Sequence, residues 1–318
     1  MEEIYTLFKT IMPVKVFPGN TTPEEIYNYT HVPLGLPLED GTTPQTSKIN
    51  IISWNYDSKK KRITAEKIQL MQNLNPDILI IQECTYYECI VYKKIYKYVS
   101  WYGDGKDSIY GLSVLSNKFN PHIICNNIYE QKFRYIIPYE INIDGLNFLL
   151  LAVWTKGKLC WQKVDDDIHC LSYIENIFEA IDFYDALLEK YSEIIIIGDF
   201  NSFNKMQKKQ ELHIALEDKL KQYDIFNCTV FPGYTYFKDF LTPAPGFEGL
   251  EKQNFETEVT YYHEYNSNNA GTNDYCFLKK SENIYLNRIG IGYPEKWINY
   301  SDHFPLWLQF TVRKPNNY

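Results

Sequence analysis

The sequence predicts an α/β chain, and three observations carry the prediction. A unit of amphipathic helix, apolar strand and acidic residue occurs twice, near residues 62–83 and 171–199. Between the two units lie short apolar runs spaced by turn residues, as antiparallel neighbours are. The ends of the strand-like runs carry Asp, Glu, Asn or His: Asn55, Glu83, Asp199, Asn201, Asp274, Asp302 and His303. Gly, Asp and Asn dominate turns, so any one of these positions alone reads as an ordinary strand terminus. Turn propensity by itself does not place only these residue types at six such ends.

Residues 1–47 read as an irregular extension, punctuated by Pro and Gly from Pro13 to Pro44, with long helices and strands excluded. INIISWN follows as a short apolar run ending in Trp54 and Asn55. A helix is expected over Arg62 to Leu74, with Ala65, Ile68, Met71 and Leu74 on one face. NPDILIIQE is a Pro-marked turn and a strand that runs out at Glu83. YGLSVLS, FRYIIPYEI and LNFLLLAVW are further strands. A longer helix is expected over Leu171 to Tyr191, with Ile174, Ile177, Phe178, Ile181, Tyr184 and Leu188 in one stripe. It leads into IIIIGDFNS, Ile194 to Ser202. Four β-branched residues without alternation predict a strand buried on both faces. Gly198 then allows a turn or a close backbone approach. Phe231 to Asn269, rich in Pro, Gly, Tyr and charge, reads as a long loop region. AGTNDYCFLK and WINYSDHFPLWLQF close the chain, each with an acid beside a strand.

The 318 residues are 45% hydrophobic, enough for a large core. With 32 basic and 40 acidic side chains the net charge is −8, which argues against a protein coated in positive charge to hold nucleic acid non-specifically. The seven cysteines form no CxxC pair, so neither zinc-site spacing nor a disulfide framework is expected, and reduced, mostly buried thiols are. Cys84 in particular reads as core. MEEIYTLFK lacks a signal-peptide core, and no stretch approaches the roughly 18 apolar residues of a membrane span. A cytoplasmic location is therefore expected, with no membrane partner.

Oxygen donors without thiolates select Mg²⁺, Mn²⁺ or Ca²⁺ rather than zinc. Mg²⁺ takes one or two carboxylates and keeps waters and substrate phosphate as other ligands. Glu83 helped by Asn55 fits that style. Phosphoester hydrolysis also needs a base for water and donors for the charge developing on phosphoryl oxygens. Asp199 suits the first role, and Asn201 with His303 the second.

WN, QE, GDFN and SDH, in this order and each at a strand end, resemble the motifs of the endonuclease/exonuclease/phosphatase superfamily of DNase I-like phosphoesterases. The resemblance covers residues 48–312, leaving 1–47 as the extension and 313–318 as a tail. It implies a four-layer sandwich: two mixed β-sheets face to face with helices outside, and a catalytic site at one end. It also implies that Glu83, Asn55 and Asp302 serve a metal, Mg²⁺ with Mn²⁺ as substitute. Asp199 would orient or deprotonate the attacking water, Asn201 would donate to the phosphate, and His303 would bind the phosphate and stabilise the transition state. Asp274, in TNDYCFL, would orient the histidine.

Two departures stand out. Trp154 of LLLAVWTKG occupies the place of a second histidine found in many members, and an indole donates a hydrogen bond but cannot shuttle a proton. Lys156 or a metal-bound water is left as leaving-group acid, and Asn201, Lys156 and Trp154 are expected to face the substrate. Asn273 stands where Ile is usual. A loop holding Tyr234, Tyr236, Tyr261, Tyr262 and Tyr265 can stack bases, although tyrosine is common throughout this chain (28 residues). The expected activity is Mg²⁺-dependent phosphoester hydrolysis, above all nuclease action on DNA or RNA, including short or cyclic oligonucleotides. The alternatives are a phosphomonoesterase on a small phosphorylated molecule and a catalytically silent member that binds phosphate or protein.

Overall fold

In the computed structural model the described residues are 8–10, 46–57, 65–74, 76–103, 110–124, 133, 135–155, 159–164, 167–171, 173–202, 207–228, 259–292 and 297–314. They form two mixed sheets. The first has seven strands in the order β1 (Phe8–Thr10), β16 (Ile284–Gly292), β17 (Leu306–Arg313), β2 (Thr46–Asn55), β3 (Ile78–Thr85), β5 (Tyr110–Ser116) and β4 (Tyr98–Gly103). The second has six: β12 (Ile225–Asn227), β15 (Asp274–Lys279), β11 (Glu193–Asp199), β8 (Leu146–Trp154), β7 (Ile136–Ile143) and β6 (His122–Ile123).

Each sheet contains one parallel pair among antiparallel neighbours: β2 with β3 and β8 with β11. Parallel neighbours need a crossover connection, usually helical. Here the crossovers are α1 (Ala65–Leu74) in the first sheet, and α3 (Tyr173–Phe183) with α4 (Asp185–Lys190) in the second. These are the two helix–strand–acid units of the sequence. Parallel pairing has a direct consequence: both strands of a pair end at the same edge of the sheet. Asn55 and Glu83 therefore leave the first sheet together, as Trp154 and Asp199 leave the second.

The isoleucine run of β11 divides between two cores. Ile195 and Ile197 join Ile51, Ile80, Leu150, Ala152 and Leu308 between the sheets. Ile194 and Ile196 join Leu149, Leu151, Ile177, Ile181, Leu216 and Leu220 under α3 and α5 (Gln207–Lys221). On the outer side of the first sheet, α1 and α2 (Tyr86–Tyr92) contribute Met71, Leu74 and Tyr92 to the core. The architecture is the two-sheet sandwich with helices outside that the resemblance implies.

Several details differ from the sequence reading. The expected helix over Leu171 to Tyr191 is two helices. Leu171 ends β10 (Asp167–Leu171), which pairs with β9 (Leu159–Val164) in a hairpin the sequence did not announce. Tyr184 interrupts the rest at φ −93° and ψ 12°, with its hydroxyl donating to the Ile136 carbonyl. In α1 Met71 and Leu74 are buried as expected, but Ala65 is exposed and Lys67 is buried, 1% exposed. Its Nζ donates to the Tyr56 carbonyl at 2.6 Å and lies 4.5 Å from the Tyr56 ring centroid. The expected extension contains β1, which pairs with β16, and the first two residues of β2. Cys84, Cys89, Cys228 and Cys276 are buried free thiols, as expected. Lys156, Tyr234 and Tyr236 lie outside the described residues.

Candidate active site

The strand ends meet at one end of the sandwich. Asn55, on the last position of β2, donates from Nδ2 to Asp199 Oδ2 at 3.1 Å and lies 3.5 Å from Glu83 Oε1. One amide thus bridges a carboxylate of each sheet. Asn55 Oδ1 accepts from the Asp57 backbone N–H at 3.2 Å. Asp199 is fully buried and held by three donors: Asn55, the Asn201 backbone N–H at 2.9 Å and Asn201 Nδ2 at 2.9 Å. The second amide hydrogen of Asn201 goes to the Thr155 carbonyl.

His303 approaches from the segment before β17. Its Nδ1 lies 3.0 Å from Asp274 Oδ2, and Asp274 is the first residue of β15, paired in register with Asp199. The segment is stitched to β2 at both ends. Ser301 Oγ donates to the Asn55 carbonyl, and Trp54 Nε1 donates to the His303 carbonyl. Thr260 Oγ1 accepts the backbone N–H groups of Asn273 and Asp274, while its carbonyl accepts that of Phe304. Tyr261 lies on His303, ring centroids 4.4 Å apart.

Ligand atoms of Asp199, Asp274 and His303 lie within 4.8 Å of one another, a spacing that admits a metal ion. The same carboxylates act on the imidazole. Burial works to lower the His303 pKa, but Asp274, Asp199 and Asp302 outweigh it and raise it to about 10. The carboxylates that flank the ring thus favour its protonated form. The trio sets one buried imidazole beside two buried carboxylates. Burial pushes Asp199 up to about 7 against the lowering influence of His303 and its amide donors. A carboxylate poised near neutrality is what a general base requires.

The backbone is unusual around these residues. Glu83, Asn201 and Asp57 have left-handed φ values of 58°, 48° and 47°. Such conformations cost about 1–3 kcal/mol each outside glycine and cluster where function holds them. At Glu83 the cause is a bulge: the β3–β5 register shifts between Ile81 and Cys84, which re-aims the carboxylate. Gly198, at φ 150°, brings β11 against β8, and a Cβ there would lie 1.9 Å from the Val153 carbonyl oxygen. Glycine at this position secures the close approach that sets Asp199 beside Trp154.

The structure thus brings together Asn55, Glu83, Asp199, Asn201, Asp274 and His303. Asp302 is buried beside them, 7% exposed, and raises the pKa of His303. Trp154 is paired in register with Asp199, but its ring is 2% exposed and packs edge-on to Tyr135 at 4.6 Å. One participant escaped the sequence reading. Asp57, two residues past the WN motif, accepts a hydrogen bond from Tyr265 at 2.7 Å. Tyr265 lies with Tyr261 in the loop singled out for base stacking, and both turn into the site. The WNYD spacing was the available signal for Asp57; nothing in the sequence paired it with Tyr265.

No family model matches the chain, and no curated protein matches it. Solved structures similar to it include humanized D. rerio TDP2 carrying 14 mutations, at 14% identity and TM-score 0.49, over 83% of this chain and 98% of that one. D. rerio TDP2 complexed with a single-strand DNA product is similar at 16% identity and TM-score 0.49, over 83% and 99%. The human Nocturnin catalytic domain with bound sulfate is similar at 15% identity and TM-score 0.48, over 84% and 97%.

Proposed function

We propose that residues 48–312 are the catalytic domain of a divalent-metal-dependent phosphoesterase that hydrolyses phosphodiester bonds in nucleic acid. The observation that carries the reading is the bridge from Glu83 through Asn55 to Asp199, with the Asp274–His303 pair in register beside it. Residues from β2, β3, β11, β15 and the segment before β17 form one polar cluster at the end of an apolar sandwich.

The donor set suits a hard cation: carboxylate and amide oxygens, with the thiols of Cys84 and Cys276 buried in the core. Glu83, Asn55 and Asp302 are the residues assigned to hold Mg²⁺, with Mn²⁺ as substitute. When bound, the ion supplies polarisation of the phosphate. Asp199 orients the attacking water and takes its proton, and the Asn55 and Asn201 amides fix the direction of its carboxylate. His303, kept cationic by Asp274, faces the charge that develops on the phosphoryl oxygens. Asn201, whose amide spans Asp199 and the Thr155 carbonyl, is the further donor assigned to the phosphate. Trp154, buried and only a donor, walls the site beside Asp199 and supplies no proton to the leaving group. That leaves Lys156 or a bound water for the step.

The test is incubation with Mg²⁺ or Mn²⁺ and a panel of plasmid, single-stranded DNA, RNA, cyclic dinucleotide and phosphoinositide. Cleavage of a nucleic acid that is lost in Glu83→Gln and Asp199→Asn supports the reading. A folded wild-type protein that turns over none of them overturns it, and turnover of the phosphoinositide alone moves the substrate to a phosphorylated small molecule.

A further inference from the structure

We propose that Tyr86, Tyr87 and Trp101 form a stacking platform for unpaired bases of a single-stranded substrate whose scissile phosphate lies at Glu83. This names the substrate class of the site and rests on the nuclease reading.

Large apolar side chains are exposed at few places among the described residues, and three of them crowd into one short helix: Tyr86 (48% exposed), Tyr87 (79%) and Ile90 (40%) of α2. Chain connectivity puts them at the site, because Tyr86 follows Glu83 by three residues and so lies within about 10 Å along the chain. The placement is built rather than incidental. Thr85 and Glu88 form a reciprocal capping box that fixes how α2 leaves β3. Trp101, across on β4, donates from Nε1 to the Cys84 carbonyl at 2.8 Å, which ties its ring to the residue after Glu83. The ring lies against Gly103 and Gly111, which face each other in register; a Cβ on either would meet ring atoms at 2.4–2.8 Å. Tyr86 meets that ring edge-on at 5.4 Å, and Tyr87 meets Tyr86 at 6.4 Å.

Charge decides which partner this surface suits. The whole chain carries −8, yet the segment from Tyr86 to Tyr98 contains one acid, Glu88, which is 4% exposed and engaged in the capping box. Lys93 and Lys94, at the end of α2, are exposed. Exposed aromatic rings on a segment that ends in exposed lysines and whose one acid is buried match a nucleic-acid strand: π-faces for bases, ammonium groups for phosphates. Stacking is tolerant of sequence, and it adds to what the local lysines contribute on a chain whose overall charge is negative.

The experiment measures binding of a labelled single-stranded oligonucleotide by fluorescence anisotropy in EDTA, where nothing is cleaved, beside the same backbone made of abasic nucleotides. Tyr86→Ala and Tyr87→Ala are expected to weaken binding of the base-bearing strand at least about 5-fold each. Tyr86→Phe and Tyr87→Phe keep it, and all variants bind the abasic strand alike and weakly. Unchanged affinity in the alanine variants overturns the proposal, as does an equal loss on the abasic strand. A surface whose alanine variants lose only a protein partner overturns it too. KM for cleavage in Mg²⁺ separates the two readings. If the wild type cleaves single strands and the alanine variants keep its KM, the platform falls and the nuclease stands. If the wild type cleaves none, the nuclease reading falls, and the platform survives only if base-dependent binding remains.

Discussion

Asp199 owes its raised pKa to its position. In water its carboxyl would titrate far below neutrality; enclosed at the end of β11, with Asp274 nearby, it is pushed up to about 7. Asp274 lies 3.0 Å from His303 Nδ1, and in the proposed mechanism it keeps that ring cationic. Asp274→Asn keeps the shape and removes the charge, so kcat is expected to fall about 100-fold with KM little changed, read from steady-state rates on an oligonucleotide. An unchanged kcat would remove Asp274 from the catalytic account. At this scale much was legible. GDFN, QE, WN and SDH pointed to Asp199, Asn201, Glu83, Asn55 and His303 through their resemblance to a family's motifs, and the fold brings these residues together. The left-handed turns at Glu83 and Asp57, and the reach of Tyr265 to Asp57 across 208 residues of chain, were not. They are set by a bulge and a loop path, and neither leaves a period in the sequence.

β11 shows how an element converts composition into placement. Its isoleucines alternate between the inter-sheet core and the core under α3 and α5, so neither face tolerates a void. Ile196→Ala is expected to cost about 2–5 kcal/mol in chemical denaturation. Gly198→Ala presses a methyl group into the Val153 carbonyl at a φ few side chains adopt, and should cost about 3 kcal/mol or more. If it unfolds at the wild-type denaturant midpoint, the close approach of β11 to β8 is not what fixes Asp199. The apolar run made β11 readable because burial on both faces erases alternation. Lys67 was unreadable for the opposite reason. A cation on a helix reads as solvated, and only the folded partner, the Tyr56 carbonyl between two aromatic rings, explains its burial. The break at Tyr184 likewise depends on a carbonyl of β7 that the helix pattern does not contain.

The whole molecule has a simple logic: two sheets, each with one parallel pair, stack so that the carboxyl ends of both pairs open at one end of a dry sandwich. The apolar core holds the frame, and the polar residues with nowhere to be buried in pairs gather where the strands stop. The repeated helix–strand–acid unit made this arrangement visible in advance. The packing of one sheet on the other, which decides that Asn55 reaches Asp199, was implied only by the resemblance of the motifs. The most direct test of the account is the rate of cleavage of a labelled single-stranded oligonucleotide as Mg²⁺ is titrated into metal-free wild-type and Glu83→Gln protein. The account predicts no cleavage in EDTA, recovery with Mg²⁺ in the wild type, and a rate at least about 100-fold lower in the variant at every concentration. Equal rates in the two proteins, or undiminished cleavage in EDTA, would contradict it.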